Sequence, residues 1–391
     1  MLMSGQEKRT IILNSIFNFG SSLVSNFISV YLYIYTNSIP MMCLYIICRI
    51  SMFPIFFILG SKIVKKHSFT LTYTLGLLLI TCALIYALMA GELFAQNPYY
   101  VLIAAVIIGM GEGFYWFSSN TCNQLVSSIE TRATFLSYNG FFNNITSLFA
   151  PAFATLMLST SIDEMSGYKK ILITIIIVFV FVIIAALSIN PKPEENESNI
   201  KEALLIKNDK QWKDHNLAVL FYGLRDGLGL NTISLLVYNA AGGSNTYSKL
   251  NILFSIITIL TYRVINRFLQ RDKIDKTMKL GVLLKIISTY SLLYFPSVAG
   301  AIVYGVGNAF AAVLYDHSYS YLSAAIIGRY EGEMTARIVA KETCLSISRC
   351  CSMLFVLICY KYLPENIYLY VSVTILTLST IPVERIMLKY K

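Results

Sequence analysis

Read as alternating apolar and polar stretches, the chain breaks into long hydrophobic runs joined by short polar connections. A helix needs about 20 mostly apolar residues to cross the hydrocarbon core of a bilayer. At that length the first half offers six segments: Thr10 to Tyr35, Ile39 to Gly60, Phe69 to Ala90, Tyr99 to Asn120, Ala133 to Leu158 and Ile171 to Ile189. The second half offers Asn216 to Tyr238, Leu250 to Leu269, Leu280 to Tyr294, Val298 to Asp316, Ile338 to Tyr360 and Ile367 to Val383. The pattern predicts an all-α membrane protein of twelve transmembrane helices.

The two halves echo each other. Asn26 to Tyr33 returns as Asn231 to Tyr238, and Gly109-Met-Gly-Glu-Gly-Phe114 is matched by Gly305-Val-Gly-Asn-Ala-Phe310. Each half therefore carries equivalent first and fourth segments. Two repeats in one orientation require an even number of spans per half, and membrane transporters commonly place their substrate site between such repeats. The expected domains are an N-terminal six-helix bundle over 1–189, a cytoplasmic linker over 190–215 and a C-terminal six-helix bundle over 216–391. Within the linker, Ile200, Ala203, Leu204 and Ile206 suit a short amphipathic helix at the membrane surface, with Trp212 as an interfacial anchor. A solvated tether is the alternative.

Composition places the chain among integral membrane proteins, since 56% of its 391 residues are hydrophobic and only 13% are charged. Lys8 and Arg9 lead directly into a span too long for a signal peptide, so the first helix should stay attached. The net charge of +10 is spread over loops between spans rather than gathered on a soluble domain, which argues against nucleic acid as a partner. Lys8, Arg9, Lys62, Lys65, Lys66, Arg271, Lys273, Lys276, Lys279, Arg385, Lys389 and Lys391 all fall on one side of a twelve-span topology. Cations concentrate on cytoplasmic loops. A multi-pass plasma-membrane protein with both termini cytoplasmic is therefore expected. The eight cysteines lie within or beside apolar runs, where free cysteine behaves as a small hydrophobe, and His67, His215 and His317 stand alone. No metal or other cofactor is expected.

A charge near the bilayer centre costs at least about 2.5 kcal/mol, so a buried ion usually faces a cavity or a partner. Ionisable residues at mid-span depth are Arg49, Glu112, Arg225, Asp226, Arg263 and Arg349, joined by the amides Asn18, Asn26, Asn139, Asn143 and Asn144. The third, sixth and twelfth segments have almost no interior charge and read as lipid-facing.

Twelve spans in two six-helix repeats, a cytoplasmic linker and polar residues kept away from every third helix resemble the major facilitator superfamily, over essentially the whole chain. The resemblance implies that the first, fourth, seventh and tenth helices line a central cavity and that the third, sixth, ninth and twelfth are peripheral. Lys285, near one end of the ninth segment, is the exception. Local motifs survive as remnants. Gly60-Ser-Lys-Ile-Val-Lys-Lys-His67 keeps a glycine and the cations of the family's loop after the second span but lacks its aspartate and second glycine. Ala150-Pro151, with Thr146, Ala154 and Thr155, keeps small residues but not the glycines of an antiporter pattern.

The candidate residues follow from these placements. Glu112, among Gly109, Gly111 and Gly113, is a mid-membrane carboxylate able to load and release a proton, the alternative being an ion pair with an arginine. Asp226 is the second coupling candidate. Tyr115 and Trp116 present rings that can stack against a substrate, and Asn26 and Asn143 offer amides. Arg49, Arg225 and Arg349 outnumber the acids near them, and a guanidinium fork suits carboxylate or phosphate. The resemblance brings the second and eleventh helices together across the cavity, where Arg49 and Arg349 form an anion clamp. Arg225 and Asp226, adjacent on one helix, point about 100° apart and so meet different partners. Asp316 lies toward the cytoplasmic end of the tenth segment as a gate. Glu130 with Arg132, and Glu333 with Arg337, occupy similar connections in the two halves and are candidates for inter-half gating salt bridges.

The expected function is secondary active transport of a small anionic, zwitterionic or amphipathic organic solute by alternating access. It is driven by protons, without enzymatic chemistry, in a chain functional as a monomer. The alternatives are proton-driven efflux of drugs or amphipathic compounds, and a non-transporting membrane receptor, immunity factor or lipid-binding scaffold.

Overall fold

The computed structural model describes residues 4–127, 132–189, 191, 200–205, 209–230, 232–265, 274–330, 333–364 and 367–390, the side chains of 25–26, 132–134, 136–137 and 262–265 excepted. Two compact units divide the chain: residues 1–198 with 332–343, and residues 199–331 with 344–391.

In the first unit the first helix runs through Gly5–Leu23, a π-helical turn Val24–Ile28, and Ser29–Thr36. It is followed by Ile39–Lys66, Phe69–Met89, Tyr100–Val126, Arg132–Ser159 and Glu164–Ala186. Short polar side chains set several of the starts. Ser4, Ser38, Ser68 and Asp163 each accept a hydrogen bond from the backbone N–H three residues on, filling donors the helix leaves open. Asn37 closes the first helix in the left-handed conformation at φ 44°, which frees the chain to turn into the second.

The second unit holds a short linker helix, Ile200–Leu205. The seventh helix follows as Lys210–Leu230 and Thr232–Ala241, then Ser244–Ile265 and Ile274–Tyr294. The tenth is Val298–Ala311, a second π-helical turn Ala312–Asp316, and His317–Ile327. Met334–Tyr362, Tyr368–Leu378 and Thr380–Met387 complete the series.

Among the described residues, eight helices are long and apolar enough to cross a membrane. The first, seventh and ninth fall outside that group because polar residues or breaks interrupt them, and the eighth runs to the edge of the described residues. Glu7, Lys8 and Arg9 open the first, Arg225 and Asp226 sit within the seventh, and Lys276, Lys279 and Lys285 punctuate the ninth.

Most helices outrun the apolar windows, since backbone hydrogen bonding continues into polar residues past the hydrocarbon. The tenth shows the largest difference: Asp316, expected near the end of a segment, is followed by eleven further helical residues, His317–Ile327. Its charge is met inside the unit, as described below. The seventh helix starts at Lys210 rather than Asn216, with the Asp209 carboxylate accepting from the Trp212 backbone N–H at 3.0 Å. Trp212 itself is fully buried rather than interfacial. Its indole N–H donates to the Ala203 carbonyl at 2.9 Å, and its ring stacks on His215, whose Nε2 lies 2.8 Å from the Ser323 hydroxyl.

On the sixth helix Ile173, Ile177, Val180, Phe181 and Ile184 are exposed while Ile175, Phe179 and Val182 are buried. An apolar face of that size suits lipid rather than water, in line with the peripheral position the charge pattern assigns to this helix.

Glycines set the closest helix approaches. A side chain at Gly109 would collide with the backbone carbonyl of Arg49, and one at Gly111 would meet the Gly76 carbonyl oxygen at 2.6 Å. The fourth helix thus touches the second and third at two glycines two residues apart. In the second unit Gly305 abuts the Phe254 ring of the eighth helix, and a Cβ at Gly307 would lie 2.7 Å from Ser288 Cβ of the ninth. The repeated motif places equivalent contacts in both units.

Candidate functional site

In the first unit the Gly109 contact holds the second helix against the fourth so that Arg49 and Glu112 meet side by side. Arg49 Nε donates to Glu112 Oε2 at 2.6 Å and its NH2 group to Oε1 at 2.5 Å. Both carboxylate oxygens are occupied, and the side chains are only 9% and 6% exposed. Glu112 therefore meets the alternative weighed for it, an ion pair with an arginine, and Arg49 is committed to that fork.

The same unit holds a seam of amides. Asn14 donates through Nδ2 to the Asn123 and Asn139 side-chain oxygens, both at 3.0 Å. Asn18 donates to the Asn143 carbonyl at 2.7 Å, to Thr146 Oγ1 at 3.0 Å and to Ser147 Oγ at 2.8 Å. The first helix is thereby tied to the fifth, while the side-chain oxygen of Asn143 is buried with no hydrogen-bond partner. The π-helical turn Val24–Ile28 includes Asn26, whose side chain lies outside the described residues. Tyr115 is fully buried: its ring stacks on Phe17 at 3.4 Å and meets Tyr73 edge-on at 5.4 Å, packing the first, third and fourth helices together. Trp116, half-buried, meets Phe17 edge-on at 5.5 Å.

The second unit arranges its charges differently. Gly223 and Gly227 admit the eleventh helix: a side chain at Gly223 would collide with Ser348, and a Cβ at Gly227 would lie 2.8 Å from Ser352 Cβ. Between them stands Asp226, which receives Arg349 Nε at 2.7 Å and NH2 at 2.6 Å, both on Oδ2. Here the carboxylate is 30% exposed and the arginine 17%. A second pair joins the ninth and tenth helices. Lys285 Nζ lies 2.6 Å from Asp316 Oδ2, and the Tyr222 hydroxyl donates to Asp316 Oδ1 at 3.4 Å. Asp316 thus sits at the end of the π-helical turn facing a lysine, not in a loop contact. Tyr222 stacks on Tyr319 at 4.0 Å and on Tyr315 at 6.0 Å, lining the same cluster with rings.

Arg225 differs from the other two arginines. It is 5% exposed and no carboxylate comes within 4.0 Å of it among the described residues. Its NH2 group reaches Thr289 Oγ1 at 3.4 Å, the Tyr304 hydroxyl lies beside the guanidinium, and its Nε is buried without a hydrogen-bond partner.

Of the gating candidates, Arg337 donates to Glu333 at 2.7 and 3.1 Å, one turn apart at the start of the eleventh helix. Glu130 and the Arg132 side chain lie outside the described residues. Sequence reasoning missed Asn14, Thr289 and Glu342. Glu342 is buried in the first unit near Asn120 Nδ2 at 3.5 Å and Lys341 Nζ at 3.2 Å. Its signal was a carboxylate inside the eleventh apolar run. Lys285 stood out in sequence as a lone charge, but its partner lies 31 residues away.

The chain is 24% identical over 368 residues to the "Uncharacterized protein YqgE" of Bacillus subtilis (strain 168), covering 93% of this chain and 85% of that protein. Its fold matches the crystal structure of the D-xylose-proton symporter with a TM-score of 0.72 at 12% identity, over 98% of this chain and 97% of the other. It matches the fucose:proton symporter FucP of E. coli with a TM-score of 0.67 at 16% identity, over 99% of each chain. These structural likenesses concern the fold. The family model of the Major Facilitator Superfamily matches residues 10–332, so this chain, whose described residues are overwhelmingly helical, belongs to that superfamily of membrane transporters.

Proposed function

We propose that the protein is a proton-coupled secondary active transporter of a small organic solute, working by alternating access at the plasma membrane with both termini cytoplasmic. The observation that carries the coupling is the Asp226–Arg349 pair, in which both contacts from the arginine fall on one carboxylate oxygen and the Asp226 side chain is 30% exposed. Such an acid can exchange its arginine for a proton without first breaking a closed fork. Glu112 remains a candidate, but releasing it requires separating a two-oxygen pair in near-complete burial, and breaking such a pair costs about 3–5 kcal/mol. The two solved symporters just described are named for proton coupling, which agrees with this reading of the fold.

The alternative within transport is proton-driven efflux of amphipathic compounds, favoured by the stacked Tyr222, Tyr315 and Tyr319 beside the charged cluster. The two readings separate in proteoliposomes under an imposed pH gradient, tested with a panel of anionic, zwitterionic and cationic solutes. Uptake of anions or zwitterions that is lost in Asp226→Asn supports the first reading. Movement confined to lipophilic cations supports the second.

A further inference from the structure

Five charged side chains of the second unit lie in one partly buried cluster, Arg225, Asp226, Lys285, Asp316 and Arg349, of which Arg225 and Lys285 are the buried members. Two pairs are closed, Asp226 with Arg349 and Lys285 with Asp316, so among the described residues of the cluster three cations face two carboxylates and one positive charge is left over. That charge belongs to Arg225, whose surroundings are polar but neutral: the Thr289 hydroxyl at 3.4 Å and the Tyr304 hydroxyl. A buried charge is ordinarily paired, because leaving it alone forfeits hydration with nothing in return. Gly229, one turn further along the same helix, has only Arg225 NH1 near the space a Cβ would fill, at 3.7 Å, which leaves that flank of the guanidinium uncrowded.

We propose that Arg225 is the seat of a monoanionic group of the substrate, a carboxylate held by the free Nε and an NH2 group in a planar fork and flanked by Thr289 and Tyr304. A single negative charge neutralises the cluster, whereas a dianion over-compensates it and a cation adds to the excess. Arg49 and Arg349 are left out of the seat, because each already holds a carboxylate of this chain. The inference deepens the transport reading and rests on it for the word substrate; the anion site itself does not require transport.

The test uses the full-length protein in lipid nanodiscs and reads thermal unfolding at constant ionic strength. The first arm needs no ligand. Removing an unpaired buried charge relieves strain, so Arg225→Gln should unfold at a higher temperature than wild type, while Arg349→Gln, which orphans Asp226, should unfold lower. An arginine with a purely structural role gives the opposite sign at position 225, and a lowered midpoint for Arg225→Gln overturns the proposal.

The second arm adds acetate, lactate, benzoate or inorganic phosphate, with acetamide and benzamide as neutral counterparts. At least one monocarboxylate should raise the wild-type midpoint while the amides do not. Its apparent affinity should fall at least about ten-fold in Arg225→Gln, equivalent to about 1.4 kcal/mol, and return in part in Arg225→Lys, which restores charge without the planar fork. Equal stabilisation of wild type and Arg225→Gln, or none by any of the four anions, overturns the assignment. Failure of the pH-driven uptake assay with both arms positive would instead leave an anion-binding protein and remove the transport reading alone.

Discussion

In the first repeat Gly109 faces Arg49, and the guanidinium beside that contact takes both oxygens of Glu112. In the second, Gly305 faces the Phe254 ring, and Asn308 stands where the motif has Glu112. The same glycine spacing builds the same close helix approach, yet the ion pair exists once. The second unit carries its charges on other helices, the seventh with the eleventh and the ninth with the tenth, in pairs whose carboxylates are about 30% exposed. Duplication supplied the scaffold twice, and the chemistry diverged on it. One unit holds a saturated pair suited to structure, and the other holds looser pairs with an unmatched arginine, suited to exchanging partners.

The contrast is broken most directly at the saturated pair. Arg49→Gln or Glu112→Gln leaves one charge buried alone and should destabilise the protein by about 3–5 kcal/mol, whereas the double replacement Arg49→Met with Glu112→Leu should recover most of that loss. Thermal unfolding of the three variants checks this. Recovery absent in the double variant would mean that the pair does more than hold two helices together.

The equivalence of the glycines predicts an effect of intermediate size. Gly109→Ala drives a methyl group into a backbone carbonyl that cannot move aside, and overpacking of that kind costs about 1–3 kcal/mol. Gly305→Ala meets a phenylalanine ring, which can rotate, so its loss should be the smaller of the two. Equal losses would show that the two approaches are equally rigid.

The smallest stability effect is expected at Asp226→Asn. The pair is partly open to solvent, which screens it, so about 1 kcal/mol or less should be lost. A melting temperature lowered as far as in Glu112→Gln would erase the distinction between the two units.

The sequence was legible where its signal is local. A 20-residue apolar window located the long helices of the described residues, and the repeated Gly-x-Gly motif marked a contact that both units make. Helix ends were less legible because hydrogen bonding outlasts hydrophobicity, as at Lys210 and Ile327. Asp316 was read as a boundary because its charge looked intolerable mid-span, and the lysine that makes it tolerable sits on another helix. The three arginines could be picked out individually, but which of them is free depended on partners 63 and 123 residues away in the chain. Asn14 escaped notice although it lies inside the first apolar segment, because the amides it binds, Asn123 and Asn139, are 109 and 125 residues away in the chain.

The central claim, solute movement coupled to protons through the second unit, is tested most directly by proton flux into liposomes loaded with a pH-sensitive dye. Wild type, Asp226→Asn and the Arg49→Met/Glu112→Leu double variant are compared as monocarboxylates are added outside. The account predicts solute-dependent proton movement in wild type and in the double variant, and its loss in Asp226→Asn. Proton movement at the wild-type rate in Asp226→Asn, with loss in the double variant, would contradict it and return the coupling role to Glu112.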